Sequence, residues 1–159
     1  EDIDAEVRKQ GLLQKDVMLN TALVDMYAKC GALEKAREVF EQFPVRNVVS
    51  WTALISGYVE HGFNVEALRC SKQMRDEGIF PNSITYIYML RACGITGCIE
   101  IGEDIELEVQ RRGLLQKDTV LCTALIGMYI KCGALEKARK IFNQLQIKHV
   151  SSWTTLIAG

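Results

Sequence analysis

Six cysteines and two histidines are the residues of this chain best suited to metal or redox chemistry. Cys30, Cys70, Cys93, Cys98, Cys122 and Cys132 include no C-x-x-C pair, the spacing of zinc ribbons and dithiol redox centres. The closest two, Cys93 and Cys98, are five apart, and only His61 and His149 could add imidazole ligands. All six therefore read as reduced, buried thiols acting as small hydrophobes, with no metal and no cofactor. No H-x-E followed by P-C-x-x-C occurs, the signature of a zinc nucleobase deaminase, because His61 precedes Gly62-Phe63. A Gly-rich phosphate loop and a nucleophile elbow are also missing from the sequence. The chain reads as a non-enzyme.

Composition narrows the remaining classes. The 159 residues are 48% hydrophobic and 25% charged, close to the globular average, which excludes a disordered tail. No apolar run approaches the roughly 18 to 20 residues of a membrane span. With 19 basic and 20 acidic residues the net charge is −1, which argues against a strong general polyanion binder. Any nucleic acid must be held by specific contacts or by a longer parent. The opening Glu1-Asp2-Ile3-Asp4 is neither a signal nor a transit peptide, and reads as a segment of something longer.

Repetition dominates the sequence. Gly11-Leu12-Leu13-Gln14-Lys15-Asp16 recurs as Gly113 to Asp118, and Lys29 to Arg37 recurs unchanged as Lys131 to Arg139. Residues 11–57 and 113–159 share 30 identities in 47 positions at a shift of 102. Fainter echoes divide that shift into steps of 31, 35 and 36 residues.

Each unit reads as two helices. In 16–46, Leu19, Leu23, Met26 and Tyr27 mark one apolar helical face. Gly31 ends that run, and Leu33, Ala36, Val39 and Phe40 make a second helix closed by Pro44. Residues 47–81 repeat the plan around a break at Gly62. Residues 82–117 do so around a break at Gly94-Ile95-Thr96-Gly97. The acidic second helix there, with Glu100, Glu103, Asp104, Glu106 and Glu108, is expected to be a solvated convex face. A lone helix pair cannot bury its apolar stripe, but stacked pairs can. The fold class is therefore all-α, a right-handed α-solenoid of stacked antiparallel helix pairs. Functional residues should recur at the repeat period and be polar where packing asks for no polarity.

Three phrases then carry a resemblance. They are Leu23-Val24-Asp25-Met26-Tyr27-Ala28-Lys29-Cys30-Gly31, Asn47-Val48-Val49-Ser50-Trp51-Thr52-Ala53-Leu54-Ile55-Ser56-Gly57-Tyr58 and Gly78-Ile79-Phe80-Pro81-Asn82. With periods near 35, the chain resembles pentatricopeptide repeat proteins of the plant type that alternates P, L and S repeats. On that resemblance 1–15 is a partial L repeat, 16–46 an S, 47–81 a P, 82–117 an L, 118–148 an S and 149–159 a partial P.

The resemblance implies single-stranded RNA binding, one base per repeat. It pairs a reader in the first helix with the residue closing the repeat: Thr21 with Asn47, Thr52 with Asn82, Ile87 with Asp118 and Thr123 with His149. Thr154 opens a pair whose partner is missing, and Asp16 closes one whose reader is missing. Thr with Asn resembles an adenine reader, so two adjacent adenines are expected, with the RNA running 5′ to 3′ along the array. Ile87 offers no side-chain hydrogen bond, and His149 departs from the usual Asn or Asp. Taken singly, the Thr and Asn positions equally suit back-bonding and helix capping. Recurrence favours readout.

Met18, Val49, Ile84 and Val120, each three residues before a reader, resemble the side chains that sandwich a base; core packing is the alternative. Ser151 breaks that pattern. Lys29 and Lys131 resemble phosphate-contacting lysines, with a solvated helix-end charge as the alternative; Glu60 in the equivalent place would repel phosphate. The resemblance further implies a specificity factor for cytidine-to-uridine editing of transcripts in a mitochondrion or chloroplast. Its deaminase domain or editing cofactor proteins would lie outside this chain. The runner-up is a protein-interaction solenoid. Exposed apolar flanks on a cut array would also favour end-to-end self-association.

Overall fold

The computed structural model describes residues 17–43, 45–145 and Ile157; Asp16, Pro44, His149, Ser151 and Thr154 lie outside them. Eight helices follow in order: α1 (Val17–Lys29), α2 (Leu33–Glu41), α3 (Val48–Glu60), α4 (Asn64–Asp76), α5 (Ser83–Thr96), α6 (Ile99–Arg111), α7 (Thr119–Lys131) and α8 (Leu135–Gln144). No strand occurs among the described residues. Odd-numbered helices are the first members of each pair.

One turn, repeated, makes the pairs. Gly31 sits at φ 76°, where its N–H bonds to Ala28 O at 3.1 Å and the next N–H, of Ala32, bonds to Tyr27 O at 2.9 Å. These are the two bonds of a Schellman motif, whose left-handed residue is cheapest as glycine. Gly62 repeats it on Val59 and Tyr58. The expected break across 94–97 is shorter than the sequence suggests. Helix α5 continues through Gly94 to Thr96, and only Gly97 turns left-handed. Gly94 is buried because the space of its missing Cβ is taken by Lys131, whose Cδ would lie 3.1 Å away.

The chain divides into two compact units, residues 1–81 and 82–159. In the first, α1 packs against α2 and α3, and α3 packs against α4. Phe40 meets Trp51 edge-on, with ring centroids 4.5 Å apart, a favoured aromatic geometry. Leu54, Ile55 and Met74 complete this core. In the second unit α5 packs against α6 and α7, and α7 packs against α8. Tyr86, Met89, Leu90, Leu121, Leu125 and Tyr129 are fully buried there. Within each unit, therefore, consecutive first helices touch.

The acidic face of α6 is not simply solvated. Tyr129 donates its hydroxyl proton to Glu106, Lys137 pairs with Glu103, and Arg112 reaches Glu108 at 2.7 Å. Burial and the Glu106 contact both push the Tyr129 phenol upward, so it keeps its proton. Glu106 and Glu103 thereby join α6 to the α7–α8 pair, while the Arg112–Glu108 pair closes the end of α6 itself; all three carboxylates are half-buried.

Helices α1 and α3 approach so closely that a Cβ on Gly57 would lie 2.5 Å from the Ala28 Cβ. Such overpacking typically costs about 1–3 kcal/mol. Gly57→Ala should therefore lower stability in urea unfolding by that amount. Gly102→Ala, which meets side-chain atoms alone, the Cε and Sδ at the end of the unbranched Met128 chain, should change it by less than about 1 kcal/mol. Equal losses would contradict the close-packed α1–α3 seam.

Candidate nucleic-acid interface

The first N–H groups of any helix lack intrahelical partners. Asn47 supplies one for α3: its Oδ1 accepts from the Ser50 N–H at 2.9 Å, and Ser50 Oγ accepts from the Asn47 N–H at 3.1 Å. Asn82 and Thr85 repeat this capping box for α5, at 2.9 and 3.3 Å. Asp118 caps α7 through the Leu121 N–H at 3.0 Å, without the return bond. The second helices follow Ala32, Phe63, Cys98 and Ala134, which make no side-chain cap. Side-chain caps thus fall on the residues that the sequence picks out as repeat closers. Capping is a role they fill, whatever else they do.

The expected readers Thr21, Thr52, Ile87 and Thr123 are the fifth residues of α1, α3, α5 and α7, and all are half-buried. The three hydroxyls donate to carbonyls one turn back: Thr21 to Val17 at 2.8 Å, Thr52 to Val48 at 2.7 Å and Thr123 to Thr119 at 2.9 Å. Back-bonding is therefore real too. Each group nevertheless keeps a remainder, since a hydroxyl that gives its proton retains lone pairs to accept with. Thr21 and Asn47 lie in the first unit, Ile87 and Asp118 in the second. Thr52 and Asn82 fall in different units, each described within its own. His149, Thr154 and Asp16 lie outside the described residues.

Met18, Val49, Ile84 and Val120 are the second residues of the same four helices, and are 84, 55, 57 and 63% exposed. Core packing is excluded for them. Three residues before the reader, each lies on the reader's helical face. The sequence thus places an apolar side chain in water at one equivalent position in four successive first helices.

Lys29 and Lys131 end α1 and α7 and are exposed. They differ in company. Lys29 is paired with Asp25 at 2.6 Å, whereas the residue 102 positions after Asp25 is Gly127. Glu60 is exposed at the end of α3. Among the cysteines, Cys70, Cys93 and Cys122 are buried, Cys98 and Cys132 half-buried, and Cys30 exposed, so full burial fails for three. Burial, with Asp118 adding, pushes the Cys122 thiol up to about 11. Among the described residues no cluster of His, Cys, Asp or Glu could hold a metal, and no helix is long and apolar enough to cross a membrane.

Comparison with known proteins meets this geometry. The PPR repeat model matches residues 21–48 and 120–150, and the PPR repeat family model matches 46–94. The chain belongs to the pentatricopeptide repeat family. A putative pentatricopeptide repeat-containing protein of Arabidopsis thaliana is 41% identical over 144 residues, 91% of this chain and 25% of its own length. The chloroplastic pentatricopeptide repeat-containing protein CRR2 of the same plant is 39% identical over 162 residues, 99% of this chain and 24% of its own length. A putative mitochondrial relative is 33% identical over 148 residues. The chain spans about a quarter of the length of these relatives. The crystal structure of the pentatricopeptide repeat protein PPR10 from maize superposes with TM-score 0.74 at 18% identity, over 97% of this chain and 23% of that one. PPR10 in complex with an 18-nt psaJ RNA element gives 0.69 at 16% identity, over 96% of this chain and 24% of that one. The fold is the all-α helical solenoid of these pentatricopeptide repeat structures.

Ser50, Thr85 and Asp25 are missed by a sequence reading of the site. Asn-x-x-Ser and Asn-x-x-Thr at helix starts are the signal for the first two, a capping box with the amide at its head. The Asp-x-x-x-Lys spacing signals the third.

Asn82→Ala should destabilise the chain by about 1 kcal/mol through cap loss, while Asn82→Asp, which still caps, should not. Equal unfolding midpoints for Asn82→Ala and the parent would refute the cap. In brief iodoacetamide labelling at pH 8, Cys30 should react well before Cys122, whose thiol stays protonated until near its raised pKa of about 11. Early labelling of Cys122 in peptide maps would contradict its burial.

Proposed function

We propose that this chain binds single-stranded RNA by modular readout, one base for each helix pair. The observation that carries the reading is the recurrence of exposed Met18, Val49, Ile84 and Val120, each a turn before a reader. Exposed apolar side chains favour contact with a flat apolar surface, and an unstacked base supplies two. By register, Thr21 with Asn47 and Thr52 with Asn82 select adenines. Ile87 with Asp118 selects weakly, and Thr123 with His149, then Thr154, continue the array. Lys29 and Lys131 hold phosphates. The repeats run 16–46, 47–81, 82–117 and 118–148, with partial repeats at 1–15 and 149–159. Support comes also from PPR10, whose crystal structure holds an RNA element, and from relatives named chloroplastic or mitochondrial. The parent works in one of those organelles as a specificity factor for cytidine-to-uridine editing. This chain selects the site, and a deaminase domain or editing cofactor proteins outside it supply the chemistry.

Fluorescence anisotropy tests the reading. RNA with two adjacent adenines should bind more tightly than the same oligomer with uracils, and Thr52→Asn with Asn82→Asp should shift preference toward uracil. RNA binding at background level for every sequence would favour a protein-interaction scaffold instead.

The two lysines should differ in worth. Because Asp25 holds Lys29, Asp25→Gly should tighten RNA binding about two- to fivefold at low salt, an effect that high salt removes. Unchanged affinity in Asp25→Gly would separate Lys29 from the phosphate path.

A further inference from the structure

Three cysteines meet at one end of the second unit, and burial hides only one of them. Cys98 follows the left-handed Gly97 and closes the turn after α5, its N–H bonded to Cys93 O at 3.1 Å. Cys132 ends α7, immediately before the next turn glycine, Gly133. Its Sγ lies 3.8 Å from that same Cys93 carbonyl oxygen and 3.8 Å from Met128 Sδ. Sharing one acceptor at 3.1 and 3.8 Å, the Cys98 nitrogen and the Cys132 sulfur are less than about 7 Å apart. That is within the reach of a disulfide, whose two Cα atoms usually stand about 4.4–6.8 Å apart. Burial, with Cys98 and Glu100 beside it, pushes the Cys132 thiol up, which places Cys98 among its near neighbours.

The turns of successive helix pairs meet in the same way in the first unit. There a Cβ on Gly31 would lie 3.1 Å from Nε2 of His61, the residue before Gly62. The residue before one turn glycine thus lies over the turn glycine of the preceding pair. In the second unit Cys132 takes the place of His61, and Gly97 that of Gly31. Cysteine is the smaller side chain, and nothing lies within 4 Å of where a Gly97 Cβ would be. Space therefore remains for a sulfur to turn toward its partner. Cys93 is fully buried, whereas Cys98 and Cys132 are half-buried, so a reagent in water reaches these two.

We propose that Cys98 and Cys132 form a dithiol site that a small disulfide oxidant, such as oxidised glutathione, converts to an intramolecular disulfide. One cysteine thiolate attacks a glutathione sulfur, the glutathione S–S bond breaks, and one glutathione thiolate leaves. The second cysteine thiolate then attacks the protein sulfur of this mixed disulfide, forming the Cys98–Cys132 bond and releasing the other glutathione. Two electrons pass from the two cysteines to the oxidant, and their two protons end on the released glutathiones. Reduced, the turn after α5 and the end of α7 are held together by packing alone. Oxidised, they are joined covalently, and the seam between these two first helices cannot open. The same helices carry the exposed Ile84 and Val120, so the bond fixes the spacing of those side chains whatever they contact. The site needs no RNA.

The test takes the whole chain through glutathione buffers of rising oxidised fraction, followed by peptide mass mapping without reductant. Tryptic cleavage separates the two residues at Arg111, Arg112, Lys117 and Lys131. One linked species should then join the Cys98 peptide to the Cys132 peptide, two hydrogens lighter than the pair, and dithiothreitol should release it. Cys93 shares the Cys98 peptide, so variants assign the bond. Cys98→Ser should lose the linked species and Cys93→Ala should keep it, with helix content checked by circular dichroism. In urea, where the native geometry is lost, links should scatter over the six cysteines, a control that needs no variant to fold. The oxidised chain should also unfold at higher urea than the reduced one, and dithiothreitol should reverse the shift. Glutathione adducts with no linked peptide, dimers through exposed Cys30 alone, or the same mixture from folded and unfolded chain would overturn the site. A link that survives Cys98→Ser would overturn the pairing. A linked chain with an unshifted urea midpoint would overturn the clamp on the α5–α7 seam.

Discussion

A helix start must find partners for its bare N–H groups, and in this chain that demand organises everything near the candidate interface. The residue closing each described repeat meets it, as Asn47, Asn82 and Asp118 do. Only a few side chains cap well, at about 1 kcal/mol each over alanine. That short menu is also a menu of hydrogen-bonding faces. On the proposed reading, stability and recognition draw on one residue. Fixing its oxygen on the helix leaves the rest of the group for a ligand, at no further ordering cost.

Packing sets the spacing. Consecutive first helices touch within each unit, and packed helices generally lie about 8–10 Å apart. Neighbouring nucleotides in a stacked strand rise only about 3.4 Å. A strand read one base per helix pair must therefore be unstacked, and each opened base needs new apolar contact. Met18 and Val49 in the first unit, and Ile84 and Val120 in the second, stand where that contact would be made. Their exposure, otherwise a liability, has a physical use if the proposed reading holds. Gly57 against Ala28 keeps α1 and α3 close, and on the proposed reading that seam sets the separation of the bases. The near-neutral charge fits a binder whose affinity comes from stacking and specific hydrogen bonds more than from phosphates.

Much of the fold was legible because helical periodicity and glycine punctuation are local signals. The apolar steps at Leu19, Leu23 and Tyr27, and the stop at Gly31, correspond to α1 and its turn. Gly94 misled because a glycine inside a helix and one ending it look alike in sequence; its close approach to Lys131 and the Met128 backbone distinguishes it. The acidic stretch of α6 misled for a related reason. Charge predicts solvent, yet Glu106 and Glu103 found Tyr129 and Lys137 across the packed helices. Cys30 was expected inside by residue type, but its place beside Gly31 at a helix end leaves it exposed. Around the candidate interface, recurrence singles out the Thr, Asn and apolar positions. The hydrogen bonds that orient them, at Ser50 and Thr85, depend on where each helix begins to within one residue, which periodicity cannot resolve.

The most direct measurement is methyl NMR of the chain titrated with adenine-rich single-stranded RNA. The account predicts ring-current shifts concentrated on the methyls of Met18, Val49, Ile84 and Val120, with those of α2 and α4 unmoved. Shifts confined to the second helices, or none at these four residues while RNA is bound, would contradict it.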